Sequence, residues 1–182
     1  MPKLLRTLRL DPSDTFVFER AAEPGEWAVT GSGLFFDADP EAMDAKTRAA
    51  FRAGFLGLGS FGFSTLVEVA EIGTDERQAL IATFARGLVE RLGAPSLEVA
   101  LEAAKEELAF AASLCDHEAG TVIAMRRTVE GGGIREQFRT LRRRDPPAPG
   151  ADRLHGFARA FEFVEVDEPE ERVDLLGLRD KT

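Results

Sequence analysis

Residues 57–62, with the sequence GLGSFG, match the G-x-G-x-x-G pattern of dinucleotide-binding loops. In those loops a strand precedes the glycines and a helix follows them, because the pyrophosphate binds the free N–H groups that open the helix. Here a helical pattern over residues 40–53 comes first, and a β-rich segment over residues 63–72 follows. The inverted order favours a packing role, in which the glycines let backbones approach and the phenylalanines fill the core.

The densest cluster of reactive side-chain types is CDHE at residues 115–118. Cys115 lies on the apolar stripe of a predicted helix, near its C-terminus, where the helix dipole raises the pKa of a thiol. His117 at the helix end suits a hydrogen bond to the last carbonyl groups. No second cysteine or nearby histidine completes a metal-ligand set. We therefore predict no catalytic residue, no metal and no cofactor.

Composition narrows the chemistry further, because the chain contains two histidines, one cysteine and no tyrosine. Carboxylates, arginines, serines and threonines remain as candidates for chemistry. Glu68 and Glu71, on the strand that follows the glycines, are possible acid–base groups. No second carboxylate can be paired with Glu68 from the sequence, so an exposed strand end is favoured.

Basic residues concentrate in a predicted β-hairpin over residues 121–144, which contains seven arginines and only two glutamates. Alternation along the strands places several arginines on one face, while Ile134 and Phe138 point to the other. A solvated outer face is the simplest interpretation, and a bound anion, an acidic partner or nucleic acid are the alternatives. The candidate anion- or partner-binding residues are Arg126, Arg135, Arg139 and Arg143.

Residues 162–182 form an acidic tail that holds eight carboxylates. A short apolar island within it suits docking into a partner's groove. The tail could instead lie across the arginine face of its own chain or of a second copy, and intramolecular docking avoids the cost of association. The candidate docking residues are Val173, Leu175, Leu176 and Leu178.

These candidates must be positioned by a fold whose elements can be predicted from turn residues and periodicity. The first 36 residues indicate a β-meander with strands at residues 3–10, 16–21 and 27–36. Asp39 and Pro40 indicate the start of a helix. The later elements are a helix over residues 40–53, a strand over 63–72, a helical hairpin over 74–115, a β-hairpin over 120–144, a strand over 154–166 and a tail over 167–182.

Two long amphipathic helices are predicted within residues 74–115, with Gly93 ending the first and Ser96 capping the second. Each has one apolar stripe, so both should lie on a sheet. The order of elements therefore predicts an α+β fold: an antiparallel or mixed sheet with a helical hairpin packed on one face. The length of 182 residues suits a single domain.

The opening run LLRTLRLDPSDTFVFERAAEPGEWAVTG, residues 4–31, carries a resemblance to known proteins. It is similar to the start of a small bacterial family of uncharacterised proteins, a domain of unknown function. This resemblance implies no activity and no catalytic residue. The residues that carry it are Asp11, Pro12, Ser13, Asp14, Phe18, Glu26 and Trp27.

The net charge of −9 disfavours nucleic acid as a partner, since binding to a polyanion depends on neutralising phosphates. The chain shows no export signal and no membrane span, and one cysteine excludes an internal disulfide, so we expect a cytoplasmic protein. We expect a non-enzymatic accessory protein that contacts another protein or a second copy of itself. The alternative is an enzyme or sensor that binds an anionic small molecule through the arginine-lined strand face, and an RNA-associated protein is a weaker third possibility.

Overall fold

The computed structural model describes residues 1–36, 38–143, 163–167 and 171–173. Within these residues, nine β-strands, four α-helices and one short 3₁₀ helix follow one another along the chain. They are β1 (Lys3–Leu8), α1 (Ser13–Val17), β2 (Trp27–Val29), the 3₁₀ helix (Ser32–Phe35), α2 (Ala45–Ala53), β3 (Phe55–Gly57), β4 (Phe63–Ser64), β5 (Leu66–Glu71), α3 (Thr74–Leu92), α4 (Leu97–Ser113), β6 (Val122–Glu130), β7 (Gly133–Arg143), β8 (Phe163–Asp167) and β9 (Glu171–Val173).

All nine strands belong to one sheet, in the order β4-β3-β2-β1-β5-β6-β7-β8, with β9 also paired to β7. Each pair of neighbouring strands is antiparallel. The α3–α4 hairpin packs on this sheet, and α4 contacts β1 and β2. The predicted α+β class is therefore confirmed, with an antiparallel sheet. In the part of the chain that the structure describes, every helix is too short or too polar to cross a membrane.

The prediction of an N-terminal β-meander is wrong in its second strand, because residues 13–17 form the short helix α1. Pro12 has φ near −78°, and its carbonyl accepts hydrogen bonds from the Thr15 N–H and hydroxyl groups. These local bonds start a helical turn where alternating phenylalanines suggested a strand. Phe16 consequently lies exposed, while Phe18 is buried.

The third predicted strand, residues 27–36, is also too long, because β2 ends at Val29. Gly31 has a positive φ of 75°, which an extended strand cannot accommodate, and the 3₁₀ helix follows at once. A side chain at Gly31 would place its Cβ only 2.9 Å from the Cβ of Leu56. The glycine therefore turns the chain where it passes close to β3.

The first long helix begins later than residue 40, because Asp44 and not Asp39 is its N-cap. The Asp44 carboxylate accepts a hydrogen bond from the Thr47 N–H group at 2.7 Å. Asp39 makes a local turn instead, accepting a hydrogen bond from the Glu41 N–H group. The predicted start at Asp39 and Pro40 is therefore wrong, because the local bonds of Asp39 close a turn and the helical bonds begin at Asp44.

The strand predicted over residues 63–72 is two strands, β4 and β5, and β3 precedes them where no strand was predicted. The GLGSFG segment joins β3 to β4 as a turn, and the Gly57 N–H group donates to the Gly62 carbonyl at 2.8 Å. The strand predicted over residues 154–166 lies mostly outside the described residues, which contain β8 from Phe163.

The helical hairpin has the caps that the sequence indicates. Gly93 adopts a left-handed conformation after α3, and the Ser96 hydroxyl accepts from the Val99 N–H group at the start of α4. The β6–β7 hairpin turns through Gly131 and Gly132, which both have positive φ. That conformation is typical of two-residue hairpin turns, and it fixes the pairing of Arg127 with Glu136.

Candidate functional site

Arg126, Arg135 and Arg139 share one face of the β6–β7 hairpin, as expected from the alternation of side chains along its strands. Arg126 and Arg139 are exposed, and Arg135 is half-buried with its Nη1 atom 3.3 Å from Glu130. Arg143 ends β7, where its backbone pairs with Phe163. The three arginines whose side chains the structure describes therefore lie along one strand pair.

The described part of the acidic tail lies beside β7 in the same sheet. Within β9, Val173 pairs with Ile134, and in β8 Asp167 pairs with Arg139. These strands extend the sheet edge instead of crossing the arginine face. The other candidate docking residues, Leu175, Leu176 and Leu178, lie outside the described residues.

The backbone amides of the glycine-rich turn bind a carboxylate from the protein itself. Glu26 accepts hydrogen bonds from the Gly59 and Ser60 N–H groups at 2.9 and 3.0 Å through one oxygen. Its other oxygen accepts from the Glu23 N–H group at 2.7 Å. Donors that a nucleotide phosphate would need are thus already occupied, which supports the packing role expected from the sequence.

Cys115 lies in a chemically inert setting. Its thiol is buried just after α4 and donates to the Ala111 carbonyl at 3.3 Å. Burial raises the pKa of the Cys115 thiol to about 12, so little thiolate forms near neutral pH. Among the described residues, no group of three or more His, Cys, Asp or Glu side chains could hold a metal ion.

A cavity of about 560 Å³ lies between the α3–α4 hairpin and the segment that runs from Gly31 to Phe36. Its walls are largely apolar, and its volume is in the range of small-molecule sites. Leu92 and Val99 are 47% and 53% exposed, so the cavity opens at the turn between the helices. The apolar side chains that line it are Leu34, Phe36, Leu56, Phe84, Leu88, Leu92, Ala94, Val99, Ala100, Ala103 and Phe110.

Glu107 supplies the ionisable group inside this cavity. One carboxylate oxygen accepts from the Gly33 N–H group at 3.4 Å, and the other accepts from the Thr30 hydroxyl at 3.5 Å. Both distances are long for bonds to a carboxylate, which are usually about 2.7–2.9 Å. Burial raises the pKa of Glu107, the nearby Glu136 carboxylate raises it further, and Arg127 and the backbone amides only partly offset this effect.

Behind Glu107 lies a buried ion pair between the two strands of the β-hairpin. Arg127 Nε donates to Glu136 Oε1 at 2.8 Å, and both side chains are fully buried. The Ser32 hydroxyl, at the cavity wall, also donates to Glu136 Oε1. Glu136 Oε2 is buried and has no hydrogen-bond partner among the described residues. The cluster therefore retains unused acceptor capacity.

Arg127 also joins the hairpin to the N-terminal half of the chain. Its Nη1 group donates to the carbonyls of Phe51 at 3.0 Å and Gly54 at 3.2 Å, at the end of α2. Its Nη2 group donates to the Thr30 carbonyl. A cation at a helix C-terminus satisfies the last carbonyls and suits the helix dipole. The guanidinium thus fixes the segment that carries the polar end of the cavity.

Neither the cavity nor the ion pair was predicted, although the sequence carries a signal for the ion pair. Alternation along β7 places Glu136 on the same face as Ile134 and Phe138, and the hairpin turn pairs it with Arg127. On α4, Glu107 follows Ala100, Ala103 and Ala104 at helical spacing, so it shares their face. Small alanines on that face leave room beside the sheet.

Fold and site together define a class: an α+β protein that encloses a mostly apolar cavity with a glutamate of raised pKa at its polar end. A family model described as a family of unknown function, DUF6505, matches residues 1–152. The chain therefore belongs to this family, which confirms the domain of unknown function that the opening run suggested. No curated protein and no solved structure matches the chain.

Proposed function

We propose that this protein is a small-molecule-binding protein, and that its ligand occupies the cavity between the α3–α4 hairpin and residues 31–36. The observation that carries this proposal is an open cavity of about 560 Å³ with apolar walls and a polar inner end. An apolar surface exposed inside a folded protein is stabilised by burying a ligand of matching polarity.

The residues around the cavity favour binding over chemical conversion. Glu107 accepts long hydrogen bonds from Gly33 and Thr30, and the Ser32 hydroxyl donates to Glu136. The Glu136 carboxylate is also held by Arg127 in a buried ion pair, so it is already engaged as the counter-ion of a guanidinium. A carboxyl group of raised pKa instead suits recognition of a hydrogen-bonding group on the ligand.

The proposal is tested with Nile red, a neutral dye that fluoresces in apolar surroundings. We expect saturable binding to the wild-type protein and its loss in Ala103→Trp, which fills the cavity from α4. Ala109→Trp is the matched control, because Ala109 lies on the exposed side of the same helix. Circular dichroism verifies that each variant is folded.

A second blocking variant protects the test against misfolding. Val99 is exposed at the cavity mouth, so Val99→Trp can obstruct the opening without repacking the core. Wild-type protein that binds no dye, or equal binding by the blocking variants and the control, would contradict the proposed function.

A second proposal retains contact with another protein or with a second copy of the chain. The exposed Arg126 and Arg139 side chains, on the solvent side of the β6–β7 hairpin, support it. We expect sedimentation velocity to show a dimer or complex that weakens when both arginines are changed to glutamate. A monomer whose mass is the same for wild type and variant, and no recovered partner, would contradict this proposal.

The anionic-ligand alternative has less support, because Arg126, Arg135 and Arg139 do not line the cavity. A location in a bacterial cytoplasm remains part of the proposal, since a single buried cysteine suits a reducing compartment. Fractionation of the source cells tests that location.

A further inference from the structure

We infer that the ligand is an amphiphilic amine, whose ammonium group pairs with the Glu107 carboxylate while its apolar chain lies along α4. This inference rests on the proposed function, because it names the chemistry of the ligand that the same cavity would take. It is drawn from the charges, the contacts and the shape of the site.

The charges at the cavity favour a cation. Among the described residues, the ionisable side chains that line it are Glu106 and Glu107, and neither lysine nor arginine does so. Glu136 lies just behind Ser32, and its charge is balanced by Arg127. With that pair neutral, an ionised Glu107 is a partly buried charge with no cation on the cavity wall beside it, and a proton or a bound cation would stabilise it.

The contacts of Glu107 leave it incompletely satisfied. Its hydrogen bonds from the Gly33 N–H group at 3.4 Å and the Thr30 hydroxyl at 3.5 Å are long, and the Thr30 hydroxyl is shared with Ser32 at 3.1 Å. The Gly31 amide also lies near the carboxylate. An ammonium group carries three donors and can form short, charge-assisted bonds with a carboxylate. A ligand carboxylate would instead meet two acidic side chains and no cation on the cavity wall.

The shape of the cavity fits a molecule with a polar head and an extended apolar body. Val99 marks the mouth and Glu107 the inner end, and eight residues of helix separate them by about 12 Å. The wall between them is built by alanines, leucines and phenylalanines. A head group at Glu107 therefore places an alkyl or aryl chain along the apolar wall.

Proton balance makes the inference testable. At a pH where Glu107 is protonated, binding of an ammonium ion releases that proton to solvent and forms the ion pair. Affinity for the amine should then rise with pH as Glu107 loses its proton in the free protein. Arg127 and Glu136 face the same region, but their ion pair compensates both charges. An uncharged ligand of equal length should show no such rise.

The experiment compares n-decylamine, n-decanol and n-decanoate by displacement of Nile red from the full-length protein, over a range of pH. We expect decylamine to bind most tightly. Glu107→Gln should weaken decylamine binding by about tenfold to a hundredfold, as expected for a hydrogen bond between charged groups, and should remove its pH dependence. Binding of decanol should change by less than about threefold.

Glu102→Gln is the matched control, because Glu102 is an acid on α4 that is exposed to solvent and does not line the cavity. It should leave decylamine affinity nearly unchanged. The inference would be overturned by equal affinity for decylamine and decanol, by tighter binding of decanoate, or by an unchanged decylamine affinity in Glu107→Gln. In each of these cases, saturable binding of Nile red would still support the proposed function. If neither Nile red nor any of the three ligands binds, both the proposed function and the inference are contradicted.

Discussion

The buried ion pair between Arg127 and Glu136 should contribute to stability as a coupled unit. We expect Glu136→Leu to leave the Arg127 guanidinium in the core without its carboxylate. Arg127→Met should remove that guanidinium from Glu136 and also from the carbonyls of Thr30, Phe51 and Gly54. The second change therefore breaks more bonds than the first.

The expected magnitudes follow from these contacts. Removing one member of a buried ion pair costs about 3–5 kcal/mol, because the remaining charge is desolvated and unpaired. Each carbonyl left without a donor adds about 1–3 kcal/mol. Arg127→Met should therefore lower the free energy of unfolding by more than Glu136→Leu. In the double variant neither charge remains, so its cost should be smaller than the sum of the single costs by about 2–3 kcal/mol.

Equilibrium unfolding in urea, followed by circular dichroism, measures these free energies. Glu130→Gln is the control within the same hairpin, because the Glu130–Arg135 pair is partly exposed, and we expect it to cost less than about 1 kcal/mol. If Arg127→Met does not fold, partial recovery in the double variant becomes the deciding measurement. Additive single costs, or a Glu136→Leu cost near that of the control, would refute the reasoning.

Three further predictions concern carboxyl and thiol groups elsewhere in the structure. Glu26→Gln should lower the free energy of unfolding by about 1.5–3 kcal/mol, because the Glu26 carboxylate accepts hydrogen bonds from three backbone amides. Glu23 is exposed, so Glu23→Gln should change this free energy by less than about 0.5 kcal/mol, and unfolding in urea measures both. The raised pKa of Glu107 stabilises the folded state at pH values below the ordinary pKa of 4.5, and this contribution is lost as pH rises through the folded-state pKa. Glu107→Gln should therefore gain stability relative to wild type with rising pH. A difference in melting temperature that stays constant with pH would contradict this. Cys115, with its pKa raised to about 12, should react with a thiol reagent about a thousandfold more slowly in the native protein than in urea, and comparable rates would show that it is accessible.

The fold class could be predicted from the sequence because the strongest local signals agree with the tertiary structure. Gly93 and Ser96 end and begin helices as predicted, and the glycines after Glu130 make the β-hairpin turn. The prediction was wrong where local hydrogen bonds compete with a periodic pattern, as at Pro12, or where one glycine ends a strand, as at Gly31. Those outcomes depend on backbone geometry that residue types do not specify.

The cavity could not be predicted in the same way, because it depends on how far α4 stands from the neighbouring segment. The periodic pattern of α4 predicts an inner stripe of Leu97, Leu101, Ala104, Leu108, Ala111 or Ala112, and Cys115, and the buried face agrees with it except at the start of the helix. There Leu97 is exposed and Ala100 is buried in its place. A pattern of large apolar residues finds packed surfaces, and small residues beside an acid do not reveal empty space.

The carboxylate of Glu26, seated on the amides of the glycine-rich turn, has a consequence for how that turn can behave. The bound carboxylate belongs to the same chain and immediately precedes β2, the strand next to β3, so the occupancy of these amides is set by folding and not by the concentration of any metabolite. The turn therefore keeps one shape whether the cell is rich or poor in nucleotides. It forms a fixed structural contact between the N-terminal strands and β4, whereas a phosphate-binding loop would respond reversibly to its ligand.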